Sequence, residues 1–270
     1  MRRWRLVHYN VKRFAQYEEI AATLEALKPD VVTLNEVDVR SVSLERLARR
    51  LGLGKAHFFG HVRGTYGNAV LCDGGEVAET VELAGGSVVD HGGKTHRIAR
   101  GLLVVRGCAV FPGAIACTHL DHMSETERAI QARDVATALR TYDDVVLAAD
   151  LNALDRRDYT MEQWKRLEAR NAGRGWSPPV DSAAPGAALD VLSKARFRDL
   201  GRPTRDGVLP NFTSASHCPL VDDACQRIDY VHHRSTKFHL DVIAATVDAD
   251  ARGSDHLPLI VDFAPPPSRG

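Results

Sequence analysis

Apolar residues along the chain follow two rhythms, one of period two and one near 3.6, and their alternation predicts an α/β protein. Arg5–Val11 reads as a strand, and Tyr17–Leu27 as a helix with Ile20, Leu24 and Leu27 on one face. Pro29 forbids its continuation. Val31–Val37 is a nearly unbroken apolar run, as in strands buried on both faces. Leu44–Leu51 is a second helix, ended by Gly52. Strands are expected at His57–Val62, Asn68–Cys72, Val77–Leu83, Ile98–Arg106 and Ala109–Leu120. Ser124 with Glu127 forms a capping box that opens a helix to about Arg140, with Ala129, Ala132, Val135, Ala136 and Leu139 inward. Val145–Leu151 is another buried strand. Residues 153–210 are the least regular part, with weak helices near Met161–Ala169 and Ala187–Leu192. Strands return at Arg227–His233, Phe238–Val247 and Leu257–Phe263, before a Pro-rich tail. With no internal repeat and no linker, the expectation is one α/β domain over residues 1–270, its core from about 5 to 263.

Composition narrows this only slightly. A chain of 270 residues, 44% hydrophobic, can bury one sizeable core. Lys+Arg and Asp+Glu are both 35, so the formal net charge is zero. Proteins that live on phosphate-backbone contacts usually carry a basic excess, so bulk charge neither supports nor excludes nucleic acid. Of five cysteines, Cys72, Cys108 and Cys117 sit in apolar runs and read as small buried hydrophobes. Cys218 and Cys225 flank a short polar loop and could pair in an oxidising compartment, but free thiols are the first reading because nothing else looks secreted. The opening MRRWRLVHYNV lacks the apolar stretch of a signal peptide, and no run approaches ~20 apolar residues. A soluble, intracellular, cytoplasmic monomer is the expectation.

Polar side chains recur where apolar strands should end. They are Asn10, Glu36, His119, Asp150 with Asn152, Asp229 within Arg-Ile-Asp-Tyr-Val, and Ser254-Asp255-His256 before Leu-Pro-Leu-Ile-Val. In α/β sheets, ligands gather beyond strand ends. Burying an unpaired carboxylate costs several kcal/mol, so such residues need a partner or a cation. One acid at a strand end means little, since Asp and Asn also favour turns and caps. Six such places suggest a shared site. The set is oxygen-rich and lacks a Cys–His cluster, which suits Mg²⁺ or Mn²⁺ better than zinc. An Asp–His pairing can supply a base for a water nucleophile. Metal, base and amide donors together fit hydrolysis at phosphorus.

In this order the residues resemble the endonuclease/exonuclease/phosphatase family. His-Tyr-Asn10-Val is similar to its first motif and Leu-Asn-Glu36-Val to its second, usually Leu-Gln-Glu. Gly-Asn68-Ala-Val-Leu looks like its central strand, Thr-His119-Leu-Asp-His like its mid-chain histidine motif, and Ala-Asp150-Leu-Asn152-Ala like its Gly-Asp-Phe-Asn motif. Arg-Ile-Asp229-Tyr-Val and Ser254-Asp255-His256-Leu-Pro complete the series, which runs from residue 5 to about 263. The resemblance implies a four-layer sandwich, two packed mixed β-sheets with helices outside. It implies Glu36 as main metal ligand, with Asn10 and Asp255 close to the metal. His256, oriented by Asp229, acts as general base or as a donor to the phosphoryl oxygen. Asp150 orients or deprotonates the attacking water, Asn152 binds phosphate, and His119 and Asn68 help to hold it. Arg100 is a further candidate phosphate contact. Asp121 and His122 could also reach the site, but are read first as shaping the loop before the capped helix. Asn35, Ala149 and Leu151 depart from the family pattern without removing a catalytic group.

The function expected is a Mg²⁺-dependent phosphodiesterase, a nuclease, that hydrolyses phosphate ester bonds with a metal-assisted activated water. The alternatives are a phosphomonoesterase on a phosphoinositide or small metabolite, and a non-catalytic binding module on the same fold. Substrate choice should rest on Phe59–Gly67, Val88–Arg100 and Gly173–Thr213. Lys55, His57, Phe58, Phe59, Arg63 and Tyr66, with Trp176, form a faint basic-aromatic interleaving.

Overall fold

The protein is described as a computed structural model covering residues 3–85, 87–89, 94–173, 186–201, 226–236 and 240–265. In chain order the elements are β1 (Trp4–Asn10), α1 (Tyr17–Leu27), β2 (Val31–Asp38), α2 (Leu44–Arg50), β3 (Lys55–Val62), β4 (Tyr66–Cys72) and β5 (Gly74–Leu83). Next come β6 (Ser87–Val89), β7 (Thr95–Arg97), β8 (Arg100–Cys108), β9 (Ala114–His119), α3 (Glu125–Leu139), β10 (Asp144–Asp150) and α4 (Met161–Gly173). The chain continues through α5 (Ala187–Lys194), β11 (Arg198–Asp199), β12 (Asp229–Ser235), β13 (Val242–Val247) and β14 (Leu259–Phe263).

Two six-stranded sheets result, ordered β13-β14-β1-β2-β4-β3 and β11-β12-β10-β9-β8-β5. Each has one parallel pair at its centre, β1 with β2 and β9 with β10, and is otherwise antiparallel. Strand alternation then assigns every side chain to a layer. Trp4, Leu6, Val31, Val70, Ile115, Val146, Val231 and Phe263 meet in an apolar layer between the sheets. Val7, Tyr9, Val32 and Leu34 face outward onto Ile20 and Leu24 of α1 and Leu47 of α2. Val145, Leu147 and Ala149 face outward onto Ala132 and Val135 of α3 and Leu192 of α5. This is the four-layer sandwich of helix, sheet, sheet and helix that the resemblance implied.

Local chemistry explains the element ends. Lys28 caps α1 in the left-handed conformation (φ 49°), and Pro29 follows. The Ser124 hydroxyl accepts from the Glu127 amide at 3.3 Å and opens α3 as expected. The expected strand Ala109–Leu120 is shorter, because the Phe111 amide bonds back to Cys108 (3.2 Å) and Pro112 has no N–H for a ladder. Pairing starts at Ala114. The expected strand Phe238–Val247 begins at Val242, and residues 237–239 lie outside the described residues. The weak helix at Met161 runs on to Gly173, and a small β6–β7 hairpin occupies part of the expected loop Val88–Arg100. Cys218, Cys225, Trp176 and most of Gly173–Thr213 lie outside the described residues. Among the described residues no helix is long and apolar enough to cross a membrane.

The same alternation that fills the inner layer with Trp4 and Leu6 places His8 and Asn10 next along that face. Likewise Val31 is followed by Thr33 and Asn35, Ile115 by Cys117 and His119, and Val146 by Ala148 and Asp150. The space between the sheets is therefore apolar at one pole and polar at the other. Asn35 braces the polar pole: its Oδ1 accepts from the Asp150 amide across the sheets (2.9 Å), and its Nδ2 donates to Asn68 Oδ1 (2.8 Å). Asn68 donates in turn to the Gly101 carbonyl of the other sheet (2.7 Å). Replacing Asn35 by Ala leaves a buried donor and a buried acceptor without partners. Urea unfolding should show a loss of about 2–3 kcal/mol; a loss below ~0.5 kcal/mol would mean that this brace is idle.

Candidate active site

The polar pole opens into a cleft of about 690 Å³. Register sets its floor. On β10, Asp150 pairs with His119 of β9 on one side and Asp229 of β12 on the other. Asp229 begins its strand and His256 precedes β14, yet both reach the same pole, because β12 and β14 run antiparallel to their neighbours. Being at a strand's C-terminal end is thus not what unites the set; being at one edge of the sandwich is.

The distances describe a connected network. Asn10 Nδ2 donates to Glu36 Oε1 (3.2 Å) and to Asp150 Oδ2 (3.0 Å), tying a residue pair in one sheet to a carboxylate in the other. His256 Nδ1 bonds Asp229 Oδ2 at 2.7 Å, and its Nε2 lies 3.8 Å from Asp150 Oδ2. Asn152 Nδ2 donates to the Leu120 carbonyl (3.2 Å) and sits 3.0 Å from His119 Nε2. Two of these residues hold left-handed backbone, Glu36 at φ 58° and Asn152 at φ 50°. Glu36 owes its conformation to a bulge where the β2–β4 register shifts between Leu34 and Val37. The bulge turns Glu36 into the cleft, which it lines with Tyr66, Arg100, His119, Asp150, Asn152, Asp255 and His256.

Burial gives the network its electrostatics. Asp150 and Asp229 are each only 1% exposed. Desolvation is the main force lifting the Asp150 carboxyl from 3.8 to about 7, with the neighbouring Asp229 charge adding to it against His256 and the Asn10 hydrogen bond. Desolvation pushes Asp229 upward too, but His256 and His8 outweigh it and hold it well below the usual carboxylate range. Burial disfavours charge on His256, yet Asp229 overcomes this and raises the imidazole to about 10. Burial, aided by Arg100, keeps His119 neutral. The site thus sets an imidazolium held by one carboxylate beside a second carboxyl poised near neutrality.

Several side chains fall differently from the sequence expectation. Asn68 is fully buried behind the floor, its amide spent on Asn35 and Gly101, so it positions the brace instead of facing phosphate. Asp121 shapes its loop as expected, accepting from the amides of Met123 (2.6 Å) and Ser124 (2.8 Å). His122 follows the alternative reading and lines the cleft, with Nδ1 3.3 Å from Arg100 Nη2. Asp255 lines the cleft and pairs with Lys12 Nζ at 3.0 Å. His8, inside Arg-Leu-Val-His-Tyr, reads from sequence as part of an apolar strand, yet it belongs to the network. Its Nδ1 meets Thr33 Oγ1 (3.0 Å) and its Nε2 lies 3.5 Å from Asp229 Oδ1, on the side away from His256. Its two-residue spacing from Asn10 on the inner face was the available signal.

The donors fit a divalent cation. Glu36, Asn10 and Asp150 are oxygen-bearing and held together, and ligand atoms of Asp150, Asp229 and His256 lie within 4.8 Å of one another. So many carboxylates in a desolvated cluster favour a hard cation.

The Asp229–His256 pair makes a titration prediction. The charged imidazole adds stability below 6.5, lost as pH rises through about 10; the carboxylate adds stability above 3.8, lost as pH falls below that value. In Asp229→Asn the His256 ring resonances, followed by NMR, should titrate far lower than in wild type. An unchanged His256 midpoint in Asp229→Asn would remove the basis of this assignment.

A family model described as "Endonuclease/Exonuclease/phosphatase family" matches residues 7–256. Among solved structures, the fold is similar to an endonuclease/exonuclease/phosphatase from Beutenbergia cavernae DSM 12333 (TM-score 0.67, 21% identity, covering 98% of this chain and 72% of that one). It is similar to ANGEL2, a 2',3'-cyclic phosphatase (TM-score 0.62, 12% identity, 97% and 98% covered). It is also similar to a mannosyl-6-phosphatase from Bacteroides thetaiotaomicron (TM-score 0.61, 15% identity, 97% and 99% covered). At these identities the likeness is one of fold. No curated protein matches the sequence significantly. Sequence motifs, four-layer fold and family match agree, and the chain belongs to the endonuclease/exonuclease/phosphatase family of phosphoric ester hydrolases.

Proposed function

We propose that this protein is a Mg²⁺-dependent phosphodiesterase that hydrolyses its substrate with an activated water. The observation that carries the reading is a near-neutral carboxyl, Asp150, 3.8 Å from a charged imidazole, His256, in a cleft also lined by Glu36. Asp150 takes the proton of the attacking water as its oxygen bonds to phosphorus and the ester oxygen departs. His256, held by Asp229, donates to a phosphoryl oxygen and offsets the charge that grows there. Asn152 and His119, on the side of Asp150 away from Asp229, orient the phosphoryl group, and Arg100 adds a positive charge. Glu36, with Asn10 and Asp255 beside it, would hold Mg²⁺, which supplies positive charge to the phosphate oxygens and to the water. Mn²⁺ should substitute.

The rim supports an anionic substrate larger than one phosphate. Arg13, Arg40, Arg63 and Arg128 stand around the cleft although the whole chain is neutral. Arg40 is bound to Asp38 (2.6 Å) and Arg128 to Glu125 (2.7 Å), whereas Arg13 lies over the Tyr66 ring at 5.4 Å and Arg63 is exposed. Arg13 and Arg63 are thus placed for phosphates flanking the scissile one, as in a nucleic-acid strand. The second reading is a phosphomonoesterase, favoured by the cleft volume, which suits a small metabolite.

Hydrolysis of bis-p-nitrophenyl phosphate and p-nitrophenyl phosphate with Mg²⁺, Mn²⁺ or EDTA separates these readings. Metal-dependent turnover of the diester is expected, lost by roughly 10²-fold or more in Glu36→Ala and in His256→Ala. Monoester preference would favour the second reading. Absence of turnover together with absence of Mg²⁺ binding would overturn both. In its pH profile the Mg²⁺-dependent rate should rise as Asp150 loses its proton, below about 7 because the cation's charge favours the carboxylate, and fall as His256 loses its own near 10. Asp150→Asn should abolish turnover while raising stability at neutral pH, since the raised carboxyl costs stability once pH exceeds 3.8. A destabilised, active Asp150→Asn protein would contradict this role.

A further inference from the structure

Cys72 and Cys108 lie away from the cleft and take no part in the phosphate chemistry. Cys72 ends β4 in the first sheet. The chain then turns at Asp73 and enters β5 of the second sheet, where Gly74 pairs with Cys108 at the end of β8. The Ala109 amide closes the turn onto the Asp73 carbonyl at 2.9 Å. The two cysteines therefore meet where the backbone crosses between sheets, Sγ to Sγ 2.7 Å, closer than thiols in ordinary van der Waals contact. Both residues are buried, but β4 and β8 are each one strand in from the open edge of their sheet.

His57 of edge strand β3 completes the cluster. It is half-buried, with Nε2 3.3 Å from the Gly74 carbonyl oxygen that the Cys72 sulfur also faces at 3.6 Å, and the nearby Cys72 raises its imidazole. The hydrogen bond from Cys108 is the main influence lowering the Cys72 thiol to about 6, with His57 contributing against burial. The same contact pushes Cys108 upward, so Cys72 is the thiol of the pair that gives up its proton first. Cys117 is the internal contrast: fully buried, pushed up by desolvation, and in contact with Asn35 and the Leu34 carbonyl.

We propose that Cys72, Cys108 and His57 form an oxidative modification site, a dithiol that a small peroxide converts into a disulfide between the two sheets. The Cys72 thiolate attacks one peroxide oxygen, the O–O bond breaks, and the departing hydroxide takes the His57 proton to become water. Cys72 is then a sulfenic acid. The Cys108 sulfur attacks it, the S–O bond breaks, and the hydroxyl leaves with the Cys108 proton as a second water. Two thiols are oxidised, one peroxide is reduced to two waters, and a thiol reductant reverses the change. The bond would tie β4 to β8 and close the segment between them, which carries β5 and the start of β8 at Arg100.

Hydrogen peroxide treatment of the whole protein, followed by denaturation, alkylation and non-reducing peptide mass mapping, tests this. A Cys72–Cys108 crosslinked peptide should form while Cys117 is alkylated, and dithiothreitol should remove it. The oxidised protein should melt several degrees higher than the reduced one. In Cys108→Ser, Cys72 should be trapped by dimedone as a sulfenic acid, and His57→Gln should slow crosslinking about tenfold at neutral pH. Full alkylation of both cysteines after peroxide, or pairing of Cys72 with Cys218 or Cys225, would overturn the proposal; the wild-type map decides even if a variant fails to fold.

Discussion

Two sheets packed face to face must fill one shared layer, and in this protein that layer changes from apolar to polar along its length. At one pole Trp4, Phe111 and Phe263 stack. At the other, Asp150 and Asp229 lie on paired strands with almost no solvent. Two such carboxylates cannot both ionise freely there. The surrounding structure answers that constraint: His256 charges itself against Asp229, Asn10 and Asn35 donate or accept across the gap, and Asp150 retains its proton to near neutral pH. In the proposed mechanism, the groups that are costly to bury are the ones given chemical work at phosphorus.

Backbone conformation at the pole follows the same logic. Glu36 and Asn152 both sit at positive φ, where side chains are disfavoured. Asn tolerates that region through local hydrogen bonding, and the Asn152 amide bonds Asp150 Oδ1 at 3.0 Å. Glu36 has no such intrinsic ease and is held by the β2 bulge and by Asn10. Local strain and desolvation are thus concentrated at the cleft, and the apolar layers carry the stability.

The two parallel pairs explain how distant segments arrive together. β1–β2 aligns Asn10 with Asn35, and β9–β10 aligns His119 with Asp150, so each central pair delivers two polar residues to the same edge. Antiparallel β12 and β14 then deliver Asp229 and His256 from strand beginnings. The crossover at Cys72–Asp73–Gly74 stitches the sheets at their outer side and gives Cys72 a second sulfur as neighbour.

Alternation and turn chemistry made the strands, the capped helices and most of the candidate site readable in one dimension. Apolar periodicity reports burial, and Asn10, Glu36, His119, Asp150, Asn152, Asp229 and His256 interrupt that periodicity at recognisable places. Sequence could not separate residues that touch substrate from residues that hold others still. Asn68 looked like a phosphate contact and is a buried brace; His8 looked like part of an apolar strand and flanks Asp229. It read Cys72 and Cys108 correctly as buried, but not as a pair, because their meeting depends on two strands in different sheets. Only the tertiary structure decided these points, since sheet-to-sheet packing, not chain position, sets which polar groups lose water and which partners they find.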